Sequence, residues 1–387
     1  MMKTLIYVGK VITPLDEFNN STIVVDNGYI RKLILGFKEE KGAELIRCTE
    51  CIAVPGFIDI HIHGFKGIDF SSAKEKDLVR ASREYVRTGV TTFIPTIISL
   101  PHDSLVNVAE TMANAIEVED LWASIGGIYF EGPYINPKKA GAQNPEFIRK
   151  PNVKEVEELF KASRGFMKVM ALAPEVQGAK DVIKKLLDLG VIVAAAHTDA
   201  TYEEAMKAFN LGVKLCTHLF NGMRVVHHRD PGIAIAALLR DDVYVEFIGD
   251  LIHIHEGAIR LIHRTKPLDK VIAITDAISV TGLPDGEYEL GGLKIVVKGG
   301  ISKVKSTGSL AGSTVTLDKV LKNLVLRVGL PLKWCIRILT LNPAQLLNLS
   351  DRGLIAPNYR ADIVLMDSKS LEIKAVFVGG NKVLSNI

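Results

Sequence analysis

Between Pro55 and about Thr340 the chain repeats one pattern eight times: a short apolar run, then a stretch with helical texture. The runs are GFIDIHIHG, TTFIPTII, IGGIYFEGPY, FMKVMALAPE, VIVAAAHTD, VKLCTHLFN, YVEFIGDLIH and VIAITDAIS. Apolar runs of this length fit strands buried on both faces. Two of the intervening stretches, AKDVIKKLLDLG and YEEAMKAFNLG, end in leucine-glycine as helix C-termini do. Eight such units predict a (β/α)8 barrel, with an open doubly wound sheet as the second topology. Either fold collects its chemistry beyond the carboxyl ends of the strands.

The two ends of the chain read differently. Residues 4–54 alternate β-rich runs with turns, including Asn27-Gly28, and the tail GLIAPNYRADIVLMDSKSLEIKAVFVGGNKVL repeats that texture with a turn at Gly379-Gly380. We therefore expect residues 1–54 and 345–387 to build one β-sandwich, with the barrel at 55–344 inserted between them. A strand-and-glycine segment at about 282–313 reads as a β-hairpin over the barrel mouth.

Bulk properties exclude several classes. Lys+Arg 47 against Asp+Glu 44 in 387 residues leaves +3, with no charged run and only 6% aromatics, so nothing beyond a slightly high pI supports a nucleic-acid surface. The opening MMKTLIYVGKVITP is broken by Gly9 and Lys10 too early for a signal peptide, and no stretch has the length of a membrane span. Cys48, Cys51, Cys216 and Cys335 are too few and scattered for a disulfide framework, and Cys48-x-x-Cys51 reads as a chance spacing. These features predict a cytoplasmic protein with no membrane partner.

The polar residues at the strand ends carry the argument further. They are His61, His63, Glu131, Glu175, His197, His218, His253 and Asp276. Unrelated core histidines would not all fall at the same end of successive strands. Imidazole nitrogen with carboxylate oxygen is the donor set that borderline divalent cations take, and catalytic zinc keeps one position for water. His61-x-His63 places both rings on one face of the first strand, because side chains alternate with period two. Glu131 ends an apolar run at Gly132-Pro133, which stops the strand and leaves the carboxylate facing the mouth. His102, His227, His228 and His263 lack this placement and read as surface or helix-end residues.

The segments VPGFIDIHIHG, FEGPYINPKKAGAQNPEFIR, AAAHTDATYEEA, THLFNGM, HHRDPGI, ITDAISVTGL and SLAGST resemble the N-acetylglucosamine-6-phosphate deacetylase family of the amidohydrolase superfamily, through nearly the whole chain. The resemblance implies a metal-dependent hydrolase of amino-sugar catabolism on a (β/α)8 barrel with a small β-sandwich. It implies that Glu131, His197 and His218 hold a divalent metal ion (zinc, iron, cobalt or manganese) and that Asp276 is the catalytic carboxylate. His61 and His63 match the superfamily's H-x-H and imply a second ion shared through Glu131, with Asp276 as a further candidate ligand, so that one or two ions are expected per subunit. Ala142, Gln143, Asn221, Gly222, His253, Leu310 and Ala311 match substrate-contacting positions. The same resemblance implies that His253 is the donor to the oxyanion or to a sugar group. Arg229 matches an arginine that reaches the phosphate of the neighbouring subunit's substrate, which implies a homodimer.

Two departures from the family pattern bear on the sugar. Gln143 stands where histidine is usual, and Leu251 stands where glycine is usual, beside His253. The galactosamine isomer is therefore the alternative substrate. A dihydroorotase-like or deaminase-like enzyme is a more distant reading, but VMALAPE offers no lysine at its end for the carboxylated ligand common in dihydroorotases. A non-catalytic scaffold would lack the proton shuttle, and Asp276 is present.

Overall fold

The computed structural model describes residues 3–118 and 120–386. The eight apolar runs form eight parallel strands: Phe57–Ile62, Val90–Ile97, Ile128–Glu131, Met167–Leu172, Ile192–Ala195, Leu215–Cys216, Tyr244–Ile248 and Val271–Ile274. Each pairs with the next in chain order. A parallel bridge between Ile62 and Ala277 joins the first strand to the end of the eighth, so the sheet closes as a barrel and the open doubly wound alternative is excluded. Alternation along each strand sorts the core. Ile58, Ile60, Ile94, Tyr129, Val169, Ala171, Ala194, Ile248 and Ile272 pack together inside the barrel, with Ala344, Leu346 and Leu347 among them. Phe57, Phe93, Phe130, Met170, Val193, Val245 and Phe247 belong to the larger core that the helices share.

The chain ends meet in one seven-stranded sheet. Glu44–Pro55 lies at its centre, parallel to Thr4–Ile12 and antiparallel to Ile363–Asp367. Here too the two faces have separate duties: Ile363 and Leu365 enter the core of the β-sandwich, while Val364 and Met366 pack into the barrel's main core. Among the described residues no helix is long and apolar enough to cross a membrane.

One expectation is corrected in this sheet. Cys48 and Cys51 form a disulfide with Cα atoms 5.3 Å apart, so the C-x-x-C spacing is not chance. In a regular strand residues three apart point to opposite faces. Between the pairs Val8↔Cys48 and Lys10↔Ile52, however, Gly9 alone opposes three residues, and this bulge brings the two sulfurs together. A Cβ on Gly9 would lie 2.0 Å from the Thr49 carbonyl oxygen.

After the eighth strand, Gly286–Leu290, Leu293–Lys298 and Ile301–Val304 form a three-stranded antiparallel flap rather than a single hairpin. Leu290, Ile295, Val297 and Val304 give it a core of its own, closed below by Ile278 and Val280. The flap therefore stands on the segment that follows Asp276.

Candidate metal centre

The first barrel strand positions its histidines through a bulge. Asp59 pairs with Phe93 and Ile62 with Pro95, so three steps on the first strand match two on the second. Ile58 and Ile60 face the barrel interior. Strict alternation would then turn His61 outward; the bulge turns both His61 and His63 inward instead. Their Nε2 atoms lie 3.3 Å apart.

His197, His218 and Asp276 are aimed differently. Each takes a positive φ, +44°, +33° and +51°, immediately beyond its strand. A non-glycine residue there costs on the order of 1–3 kcal/mol, and such strain is kept where the surroundings impose it. Glycines make room for it: a Cβ on Gly222 would lie 3.0 Å from His197 Nδ1, and one on Gly141 3.2 Å from His197 Cε1.

Glu131 stands at the centre. Its Oε1 is 3.2 Å from His197 Nε2, 2.9 Å from His218 Nε2 and 3.5 Å from His61 Nε2. Its Oε2 is 3.3 Å from His63 Nε2, and Asp276 Oδ1 is 3.1 Å from the same nitrogen. The donors fall into two buried groups that meet at this carboxylate, His61–His63–Asp276 and Glu131–His197–His218.

The protonation pattern tests whether these residues fit a cation. His63 Nδ1 faces the Thr96 carbonyl at 3.1 Å, His197 Nδ1 that of Lys139 at 2.7 Å, and His218 Nδ1 that of Asn221 at 3.0 Å. His61 Nδ1 faces the Glu246 carboxylate at 3.1 Å. These oxygens accept, so Nδ1 carries the proton in each ring and all four Nε2 lone pairs turn toward the Glu131 carboxylate. Such convergence needs a positive charge at its centre. Without a cation a proton serves: burial opposes a charge on His63, yet its bonds to Asp276 and Glu131 outweigh burial and raise its pKa to about 10. Burial likewise works against ionised Glu131 and Asp276, and the surrounding histidines overcome it and hold both below the usual carboxylate range. The donor set fits a divalent ion, and two groups sharing one carboxylate fit a pair.

The cavity above this centre measures about 240 Å³. Ala142, Gln143, Asn221, Gly222, His253 and Leu310 all border it. Neither lysine nor arginine lines it among the described residues. His253 enters on the loop after the seventh strand, where Asp250 Oδ2 accepts from its Nδ1 at 2.7 Å. Burial disfavours its charge, but this bond to Asp250 raises its pKa overall.

Several residues sit otherwise than expected. Gln143 is committed within the protein: its Nε2 donates to Glu131 Oε2 at 3.0 Å, and its Oε1 accepts from the Ser99 amide at 2.8 Å and hydroxyl at 2.5 Å. Ala311 is buried in the flap core and does not border the cavity. Leu251 has φ +63° and packs against the main core rather than narrowing the pocket, so the position favours glycine for its backbone. Arg229 is exposed outside the cavity and donates to His228 Nε2 at 2.7 Å.

Glu175 is no part of the metal cluster. It accepts from Asn136 Nδ2, Thr198 Oγ1 and the Asp199 amide at 2.8, 2.5 and 2.7 Å, and so fastens the loop that carries His197. Glu246 escaped the sequence reading; its signal is a lone acid inside the run YVEFI, two residues before inward-facing Ile248.

The model of the amidohydrolase family matches residues 52–383. An N-acetylglucosamine-6-phosphate deacetylase of Lysinibacillus sphaericus is 34% identical over 346 residues, 89% of each chain. An N-acetylgalactosamine-6-phosphate deacetylase of Escherichia coli O157:H7 is 32% identical over 342 residues, 88% of each chain. Among solved structures, an aspartate-to-alanine mutant of the N-acetyl-D-glucosamine-6-phosphate deacetylase of Mycobacterium smegmatis, in complex with N-acetyl-D-glucosamine-6-phosphate, aligns with a TM-score of 0.94 and 31% identity over 100% of both chains.

Proposed function

Because the chain belongs to the amidohydrolase family, we propose that it removes the acetyl group from N-acetylglucosamine 6-phosphate, giving glucosamine 6-phosphate and acetate. The observation that carries this reading is the convergence of four Nε2 lone pairs and Asp276 on Glu131 beneath a cavity bordered by the flap.

Glu131, His197 and His218 would hold one divalent ion, and His61, His63 and Asp276, sharing Glu131, a second. A divalent ion in such a site lowers the pKa of its water to about 7 and so provides a nucleophile at neutral pH. The remaining chemistry belongs to the side chains. Asp276 is ionised and takes the proton of the attacking water, then returns it to the departing sugar nitrogen. His253, held by Asp250 with Nδ1 occupied, presents Nε2 to the acetyl oxygen as its charge grows. Gln143 steadies Glu131 against the charge changes of the cycle, a role we assign in place of direct substrate contact.

The phosphate needs a cation that the cavity does not supply. Arg229 lies on an exposed loop beside Val225 and Val226, which are 79% and 42% exposed. We read this loop as a contact between two copies, with Arg229 entering the neighbouring site, where its planar fork binds phosphate oxygens in pairs. A phosphorylated sugar does not cross membranes unaided, which supports an activity in the cytoplasm.

Acetate release by metal-reconstituted protein tests the reading, with the glucosamine 6-phosphate derivative run beside its galactosamine isomer and the unphosphorylated sugar. Release from the first at the highest kcat/KM is expected. Release from the galactosamine isomer alone would move the specificity, and release from neither phosphorylated sugar by metal-loaded protein would overturn the function. Arg229→Ala should lower kcat/KM about 10²-fold for the phosphorylated sugar, on the scale of lost bonds to a charged group, and leave the unphosphorylated sugar unchanged. Mixing R229A with D276N chains should restore activity, because one site per mixed dimer then has both side chains. Failure to restore it would place Arg229 outside the neighbouring site.

A further inference from the structure

Glu246 is an acid within a barrel interior otherwise packed largely with apolar side chains. It lies mid-strand in Tyr244–Ile248, is 0% exposed, and pairs across the sheet with Ile272. Taking a carboxylate out of water costs several kcal/mol unless charge and hydrogen bonds compensate it. Its compensation is incomplete: Oε2 accepts from His61 Nδ1, while Oε1 is buried and has no hydrogen-bond partner among the described residues. The strand neighbours cannot supply the missing positive charge.

The contact also sets His61 apart. His63, His197 and His218 give their Nδ1 protons to backbone carbonyls; His61 gives its proton to a carboxylate. A carboxylate acceptor fixes the Nδ1–H tautomer more firmly than a carbonyl and makes Nε2 the better donor to a metal. That Nε2 lies 3.6 Å from Asp276 Oδ1 and 3.5 Å from Glu131 Oε1. The composition agrees. Three carboxylates, Glu131, Asp276 and Glu246, lie within one buried cluster, and among the described residues no lysine or arginine borders the cavity above it. Cations are the partners such a cluster lacks.

We propose that Glu246 is a positioning residue for the second metal ion, fixing the His61 ring and tautomer and supplying the charge that draws an ion to His61, His63 and Asp276. The role rests on the metal-dependent reading of the site. It leaves the Glu131–His197–His218 group untouched, and that selectivity separates it from a general structural duty.

Titration of the metal-free protein with Co²⁺, followed by absorption and by metal analysis of the purified complex, tests the assignment. The wild type should take two ions in two steps. Glu246→Gln keeps the shape and an oxygen to accept from Nδ1 but removes the charge. It should bind the first ion as the wild type does and the second about 10- to 100-fold more weakly. Glu246→Leu, which matches the apolar layer, gives the same comparison if the amide variant fails to fold, with a larger loss. Unchanged binding of both ions, equal weakening of both, or a wild type that takes a single ion would each overturn the proposal. Acetate release by the same wild-type samples keeps the two readings apart. Two-step titration without acetate release would sink the deacetylase function and leave Glu246 in its role; full turnover at one bound ion with no second step would do the reverse.

Discussion

Replacing Glu131 by glutamine should strip the centre of both ions and with them all measurable turnover. Glu131 faces both donor groups, with Oε1 turned to His197 and His218 and Oε2 to His63. An amide keeps the shape, so the fold should persist, but it removes the charge that buried imidazoles and cations face. Removing one partner of a buried charge pair costs about 3–5 kcal/mol, a loss of at least about 10²-fold in affinity, and here the loss counts at two sites. Gln143 adds to it, because its Nε2–H then meets an amide where it met a carboxylate. Metal analysis after gel filtration, with circular dichroism for the fold, reads the outcome. E131Q protein that retains two ions would remove Glu131 from the ligand set.

Gln143→Ala separates the central carboxylate from its support. It should leave one acceptor lone pair of Glu131 bare and free Ser99, lowering metal affinity about 10-fold while KM for the sugar stays put. A raised KM with unchanged metal binding would instead restore the substrate contact expected from the family pattern.

How far the sequence reached depends on which interactions were local. Strand-end placement is local, since an apolar run followed by a polar residue and a breaker reads as a strand with its functional group at the carboxyl end. His61, His63, Glu131, His197, His218 and Asp276 were all legible in this way. Alternation also made His61 and His63 partners of one face. What alternation could not say was which face, because the bulge between Asp59 and Ile62 depends on how the second strand lies alongside. The same limit hid the Cys48–Cys51 bond, where a bulge opposite Gly9 undoes the period of two. Glu175 lies past the end of its strand, half-buried, and fastens a loop, whereas Glu246 lies buried in mid-strand and faces His61. The run YVEFI alone does not say that its acid meets the first strand; the closure of the barrel does.

Asp276→Asn should separate proton transfer from binding. The amide cannot accept the water's proton at neutral pH, so kcat should fall about 10²- to 10⁴-fold, the range that a placed acid-base group contributes. KM should change little, because the phosphate and acetyl contacts assigned to Arg229 and His253 remain. The Glu131–His197–His218 ion should stay, whereas the second ion should weaken, since Asp276 Oδ1 lies 3.1 Å from His63 Nε2 within the other donor group. The wild-type pH profile carries a matching sign. The histidines, acting against burial, hold the Asp276 carboxyl below its usual range, so the base stays ionised as pH falls through that range. The acid limb of kcat/KM should then mark protonation of the metal-binding histidines, and extra metal should shift that limb to lower pH. A limb that ignores metal concentration would return it to Asp276. A D276N protein that loses both ions would make the aspartate a ligand before it is a shuttle, and one that keeps a tenth of the turnover would pass the proton's route to His253.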